Sequence, residues 1–252
     1  MTRFSNCLSL LQEASAPLAM FLTLWLGSTA FAQNQIARPR IFGIAHVAFV
    51  VNDFAAAQSF YEDTVALEMP FSLKHPNGGR WIDYLKINNQ QYVELFNDST
   101  QPNGAFNHIA FYTDDLAGMR KYLLFHGVKL GRDIHQGRTG DAFLSFRDPD
   151  GRIVEMVEYK SSSWTAEASK KSNGSSPDHI LHVAVPRGFT VASQSFYRDV
   201  LGFVLTLGST QSNPSVRVPE GNDYVEFLPA TSQVNESCEI VLSSGKSLCR
   251  QP

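Results

Sequence analysis

Three short apolar runs, each beginning with a histidine, recur along the chain at residues 46–50, 108–112 and 182–185. Their content of β-branched and aromatic residues is typical of β-strands. A recurring segment indicates a repeated structural unit, which bears on the fold more strongly than any single element does. The pattern therefore predicts three copies of one unit, each starting with a strand.

A helix is predicted after the first strand of each copy. The first and third copies share the sequence Gln-Ser-Phe-Tyr-x-Asp, at residues 58–63 and 194–199, which starts 12 positions after the histidine in both. Ala56 and Phe60 in the first copy are four residues apart, the spacing that places side chains on one face of a helix. The second copy has a similar helical spacing and ends with Gly127, a residue type that commonly terminates helices.

Strand-like runs follow each helix, at residues 81–87 and 91–96 in the first copy and at 142–146 and 152–159 in the second. Turn-forming residues separate the members of each pair, such as Asp-Pro-Asp-Gly at 148–151. Each copy is thus predicted to have the order βαβββ, and the fold class is α+β.

The repeat also sets the expected domain boundaries. The stretch that follows the second copy is rich in Ser, Lys and Gly, which is typical of an exposed linker. After the third copy reaches its last strand, too few residues remain for a fourth copy. The predicted organisation is one domain of two modules (41–100 and 104–160, together 41–160), a linker (161–178), a partial third module (179–230) and an irregular tail (231–252).

Composition and charge exclude one class of partner. The chain has 252 residues, of which 43% are apolar, enough for a globular core. Lys and Arg number 21 against 24 Asp and Glu, and the sequence has no basic stripe with interleaved aromatic residues. Nucleic acid is therefore not expected as a partner, whereas a small molecule is.

Residues 1–32 resemble a secretory signal peptide. Arg3 precedes an apolar stretch at residues 18–26, and Ala-Phe-Ala at 30–32 supplies a small-x-small cleavage pattern. The apolar stretch is shorter than the ~20 residues that span a bilayer, so cleavage is favoured over a retained anchor. The mature protein is expected to begin near Gln33, to be periplasmic or secreted, and to keep no stable membrane span.

A glutamate on the last strand accompanies the histidine at the start of each copy. The separation is 48, 47 and 44 positions in the three pairs, which are His46 and Glu94, His108 and Glu155, and His182 and Glu226. A single histidine or glutamate on a strand is usually a structural or solvated residue. Repetition of the pair indicates a shared role instead, and it favours the first four residues as metal ligands.

Strand alternation predicts where the carboxylates point. Glu94 shares a strand face with Tyr92 and Phe96, and Glu155 also has apolar neighbours on its face. Both carboxylates are therefore expected among bulky apolar side chains, where an unpaired charge is costly. A divalent cation would stabilise them, and two imidazoles would complete a mixed nitrogen and oxygen ligand set. Glu158 is the alternative to Glu155 as a metal ligand on this strand, but it lies on the opposite face.

These residues and spacings resemble the vicinal-oxygen-chelate superfamily of glyoxalases, bleomycin-resistance proteins and extradiol dioxygenases. The resemblance covers residues 41–159 well and residues 182–228 in part. It implies that the two βαβββ modules pack side by side into a half-barrel around one divalent metal ion, which would be Ni, Zn, Co, Mn or Fe(II). The ligands that it implies are His46, Glu94, His108 and Glu155.

The resemblance implies three candidate activities. The first is a glyoxalase-like lyase or isomerase acting on a small substrate with adjacent oxygens on the metal, with Glu155 or Glu94 as the general base. The second is an Fe(II) extradiol-type dioxygenase, in which Glu94 would be spare and Tyr92, Tyr112 or Tyr159 could be the acid/base group. The third is a ligand-sequestering protein without turnover. A homodimer formed through the third module is a further expectation.

Overall fold

The computed structural model describes residues 36–171, 178–207, 213–229 and 239–248, all of which belong to one compact unit that begins at Ile36. The signal peptide expected at residues 1–32 lies outside the described residues. Within the described ranges, no helix combines the length and the hydropathy that crossing a membrane would require.

The first module has the predicted order of elements. It consists of β1 (Gly43–Val51), α1 (Phe54–Gln58), β2 (Glu68–Lys74), β3 (Arg80–Lys86) and β4 (Tyr92–Asn97). Asp53 begins α1 by accepting a hydrogen bond from the Ala56 amide, and the helix continues as a π-helical segment, Ser59–Thr64. β1 and β4 pair in parallel, which the connecting helix and hairpin make sterically feasible.

The second module repeats this order. It consists of β5 (Phe106–Tyr112), α2 (Leu116–Phe125), β6 (His135–Gln136), β7 (Ala142–Arg147) and β8 (Ile153–Glu158). Asp115 caps the start of α2 through the Gly118 amide. Gly127, predicted to stop this helix, has a φ of +75°, a conformation that glycine adopts without steric cost.

The two modules join into one curled half-barrel sheet. Its strand order is β2-β3-β4-β1-β5-β8-β7-β6, and the antiparallel pair of β1 and β5 lies at the centre. Alternate residues of the central strands, such as Val47, Ile109 and Met156, pack in the apolar core together with α2. The other set of alternate residues faces the opposite side, where the candidate site lies. The predicted fold class, an α+β half-barrel of paired βαβββ modules, is confirmed.

A second sheet contains the third module. Its elements are β9 (Ile180–Val185), α4 (Val191–Ser195) with a π-helical continuation (Phe196–Val200), β10 (Val204–Leu207), β11 (Pro214–Arg217), β12 (Tyr224–Phe227) and β13 (Ile240–Leu242). The strand order is β10-β11-β12-β9-β13. The module predicted to be partial therefore has the whole βαβββ order, followed by an additional strand.

Two stretches predicted to be irregular contain regular structure. The expected linker, 161–178, includes α3 (Trp164–Lys171), in which Thr165 is buried and donates a hydrogen bond to Asp141 (2.6 Å). The expected tail, 231–252, includes β13, which pairs with β9. Both elements are stabilised by tertiary contacts, which local composition does not report.

Buried polar contacts fix the third module to the first domain. Asp223 accepts hydrogen bonds from the Ile44 amide (2.8 Å) and from Gln91 Nε2 (3.2 Å). Its carboxylate lies so close to Gly43 that a Cβ there would be 2.6 Å from an Asp223 oxygen, so a larger residue would displace the carboxylate. The buried Arg152 donates to the carbonyl of Gly188 (2.7 Å) on the far side of the junction.

Candidate metal centre

The four predicted ligands meet on the cavity side of the four central strands. Glu94 on β4 and His108 on β5 are both register partners of Ala48, whereas His46 on β1 and Glu155 on β8 are both register partners of Ala110. Alanine at these two central positions leaves room for the longer side chains on either side. The structure thus brings together all four residues, and their role as metal ligands stays a prediction.

Short distances join the four side chains. The two imidazole Nε2 atoms of His46 and His108 are 2.9 Å apart, and His46 Nδ1 lies 3.6 Å from Glu94 Oε1. Glu155 Oε2 is 3.7 Å from the Nε2 atom of each histidine. His46, Glu94 and His108 offer ligand atoms that all lie within 4.8 Å of one another. Glu155 is as close to the two histidines as Glu94 is.

Burial determines the charge state of the site. It lowers the pKa of His46 to about 3 and that of His108 to about 4, so both imidazoles are neutral near pH 7. Burial also raises the pKa of Glu94 well above its usual value, and the neighbouring Glu155 carboxylate adds to this effect. A neutral imidazole keeps the lone pair that binds a metal. The contacts between histidine and glutamate are therefore not ion pairs, and neither imidazole supplies a positive charge to the two carboxylates.

The donor set fits a divalent metal ion. Two imidazole nitrogens with carboxylate oxygens suit first-row divalent metals, and a cation would offset the cost of the buried carboxylates. Asn107 Oδ1 lies 2.8 Å from His108 Nδ1, so this nitrogen is the donor and Nε2 is left with its lone pair directed at the site. Sequence reasoning missed Asn107, whose only signal is its position next to a predicted ligand.

The site opens into a cavity of about 350 Å³ with mainly apolar walls. Aromatic side chains that line it include Trp81, Tyr84, Phe96, Phe143 and Tyr159. A cavity of this size takes a small molecule rather than a macromolecule.

Tyr84 is a further residue that sequence reasoning missed. It is the register partner of Glu94 across β3 and β4. Burial raises the pKa of Tyr84 well above its usual value, and the nearby Glu94 and Glu155 carboxylates raise it further. Tyr84 is therefore a protonated hydroxyl beside the site.

The three tyrosines proposed from the sequence as acid/base groups differ in whether they line the cavity. Tyr92 and Tyr159 line the cavity, whereas Tyr112 does not. The Tyr159 hydroxyl donates its proton to the carbonyl of Gln90. Glu158 accepts from the Leu116 amide (3.0 Å), and it too lies outside the cavity lining, on the face predicted for it.

The third module carries only part of this arrangement. His182 Nε2 lies 3.1 Å from Glu226 Oε2, both side chains are buried, and Glu226 is the register partner of Ala184. On the other side of Ala184 lies Glu239, the residue before β13, whose carbonyl accepts from the Ala184 amide (2.9 Å). Glu239 therefore occupies the position that His108 has beside Ala48.

Comparison with known proteins agrees with this architecture. Residues 43–156 match the model of the Glyoxalase/Bleomycin resistance protein/Dioxygenase superfamily. This part of the chain is thus a domain of that superfamily, and the resemblance seen in the sequence is confirmed.

Individual relatives are distant. "Uncharacterized protein YaeR" from Escherichia coli (strain K12) is 27% identical over 122 residues, which are 46% of this chain and 95% of the relative. Glyoxalase I from Saccharomyces cerevisiae is 24% identical over 164 residues, which are 65% of this chain but 46% of the yeast protein. The structure of homoprotocatechuate 2,3-dioxygenase from Brevibacterium fuscum has a TM-score of 0.52 at 17% identity, covering 77% of this chain and 62% of that one. The last likeness concerns the fold alone.

Proposed function

We propose that the domain binds one divalent metal ion between His46, Glu94, His108 and Glu155 and acts as a glyoxalase-like lyase or isomerase. Its substrate is a small molecule that chelates the metal through two adjacent oxygens. The observation that carries this proposal is the convergence of two neutral, buried imidazoles and two carboxylates at one end of a small cavity. Membership of the superfamily and the similarity to a yeast glyoxalase I support it.

The chain's own residues supply the proton chemistry. When bound, a divalent metal acts as a Lewis acid on the oxygens of the substrate. Glu155, whose side chain is more exposed than that of Glu94 (15% against 9%), would take a proton from a carbon that bears one of those oxygens. Aromatic side chains line the cavity, and the hydroxyl of Tyr84, the register partner of Glu94, would donate a hydrogen bond to a substrate oxygen.

A dioxygenase is the second candidate, and one feature of the geometry favours it. Two histidines and one carboxylate in a compact group are the ligand set of many non-haem Fe(II) oxygenases. The sequence suggests that Glu94 would be spare in such an enzyme, and the remaining trio is compact, with Glu155 Oε2 3.7 Å from the Nε2 atoms of His46 and His108. Tyr84, the register partner of Glu94, would then be the acid/base tyrosine.

Metal content is the test of the proposed function. We expect about one equivalent of metal in the wild-type protein purified without chelators, and a strong loss in His108→Ala, because its imidazole is one of the two nitrogen donors. Glu158→Ala removes a glutamate from the opposite face of β8, and His182→Ala removes the third-module histidine, so both should keep the wild-type content.

The identity of the metal separates the two candidates. Nickel, zinc, cobalt or manganese supports the lyase or isomerase, which is then assayed with 2-oxoaldehyde adducts and epimerisable acids. Iron with oxygen sensitivity supports the dioxygenase, which is assayed with catechols. A folded wild-type protein that binds none of these metals would refute both and leave ligand sequestration.

A further inference from the structure

An arginine lies at the cavity without a role in the chemistry described so far. Arg138 is in the loop that connects β6 to β7, and it is the one lysine or arginine among the described residues that line the cavity. The other charged and titratable lining groups are the His46/Glu94/His108/Glu155 cluster, the tyrosines and Asp141. The cavity therefore has carboxylates at one end and a permanent cation on its wall.

Arg138 reaches across from the second module to the first. Its Nη1 donates to the carbonyl of Lys74 at the end of β2 (2.6 Å), and its guanidinium carbon lies 5.6 Å from the centre of the Trp81 ring. These contacts hold the planar guanidinium against the cavity wall. They use only part of its hydrogen-bonding capacity, since a guanidinium has five N–H donors.

No described carboxylate pairs with Arg138. The partly buried Arg80 donates to Asp83 through two nitrogens, and the buried Arg152 donates to Asp148 and Asp150, whereas Arg138 is exposed. Asp141, the nearest acidic residue in sequence, instead accepts from Thr165 Oγ1 and from the Lys160 amide (2.8 Å). A guanidinium that faces a cavity with unused donors is suited to a planar carboxylate supplied by a ligand.

We propose that Arg138 binds a carboxylate of the substrate and thereby selects for anionic substrates. This inference rests on the proposed function, because it assumes that the substrate occupies the same cavity. The substrate class is then a small acid with two adjacent oxygens at one end, an apolar or aromatic body between the aromatic walls, and a carboxylate directed to Arg138. Arg138 is a specificity-determining residue in this assignment, and it takes no part in proton transfer.

A matched pair of probes tests the assignment. Benzohydroxamates chelate divalent metals through two adjacent oxygens, and a para-carboxylate or a para-carboxamide differs in charge with little change in shape. We expect the metal-loaded wild-type protein to bind the carboxylate probe about tenfold or more tightly than the carboxamide probe in isothermal titration calorimetry. Arg138→Gln should abolish this preference and leave the affinity for the carboxamide probe unchanged.

Two further variants complete the experiment. Arg132→Gln removes the same charge from an exposed position outside the cavity, so it should keep the wild-type preference. Arg138→Lys keeps the charge without the paired donors and should keep only part of the preference. Equal binding of both probes by the wild-type protein, failure of both to bind at millimolar concentration, or an equal loss for both probes in Arg138→Gln would overturn the proposal.

The same titrations separate this inference from the proposed function. If the wild-type preference persists in metal-depleted protein with undiminished affinity, the metal-dependent function fails while the role of Arg138 stands. If both probes need the metal but show no preference, the role of Arg138 fails while the metal site stands.

Discussion

Asp223→Asn is expected to stabilise the protein at neutral pH. The Asp223 carboxyl group is buried where the third module meets β1, and its Oδ2 accepts hydrogen bonds from the Ile44 amide and from Gln91. Burial raises the pKa of Asp223 from 3.8 to about 6, an effect that the hydrogen bond from Ile44 only partly offsets. An asparagine oxygen in the place of Oδ2 can accept both hydrogen bonds without carrying a charge.

The sign and size of the effect follow from proton linkage. A pKa that is higher in the folded than in the unfolded state means that the folded protein binds the proton more tightly. The stability linked to this group is complete below pH 3.8, falls as the pH rises, and is lost above about pH 6. The two pKa values correspond to a difference of about 3 kcal/mol near pH 7, the upper limit of what Asp223→Asn can recover.

Urea unfolding of the wild-type protein and the variant across this pH range measures the effect. The free energy of unfolding of Asp223→Asn should equal that of the wild-type protein at the acidic end and exceed it increasingly towards neutral pH. Asp199→Asn, which changes an exposed carboxylate, is the matched control and should show no such gain. A difference between Asp223→Asn and wild type that does not vary with pH, or that has the opposite sign at neutral pH, would refute the reasoning.

Two further predictions concern the metal site and the N-terminus. Asn107→Ala is expected to weaken metal binding about 10- to 100-fold, because it removes the acceptor that orients the His108 ring. A competition titration against a chromophoric chelator measures the metal affinity, and an unchanged affinity would contradict the prediction. The exported protein is expected to begin near Gln33. Intact mass spectrometry of the periplasmic or secreted fraction measures where it begins. A mature protein that retains residues 1–32 would show the signal-peptide prediction to be wrong.

The fold was predictable because the sequence repeats itself. A strand with a histidine near its start, a helix and a glutamate-bearing strand define the ends of each module, and β1, β5 and β9 follow this pattern. Short elements carry less information. β6 has two residues, too few for any periodicity, and the three-residue β13 exists because the edge of β9 is available for pairing.

The convergence of the four predicted ligands could be foreseen from the sequence, whereas the residues around them could not. His46 and Glu94 recur with their counterparts at a nearly constant separation, a signal that a single sequence contains. Tyr84 and Arg138 have no counterpart in the repeat, and they reach the cavity through cross-strand register and through a loop. Neither register nor loop geometry can be derived from residue spacing.

Strand register also explains why the described residues form one complete group of two histidines and two glutamates rather than two such groups. Ala48 lies between the glutamate of its own module and the histidine of the next, and Ala110 has the reciprocal pair. Each module alone therefore supplies half of a site, and the antiparallel pairing of two such modules completes it. In the third module, Ala184 has its glutamate, but the residue opposite it, just before β13, is Glu239 in place of a second histidine. Among the described residues the third module lacks the reciprocal half, so the arrangement of two histidines and two glutamates occurs at the β1–β5 junction.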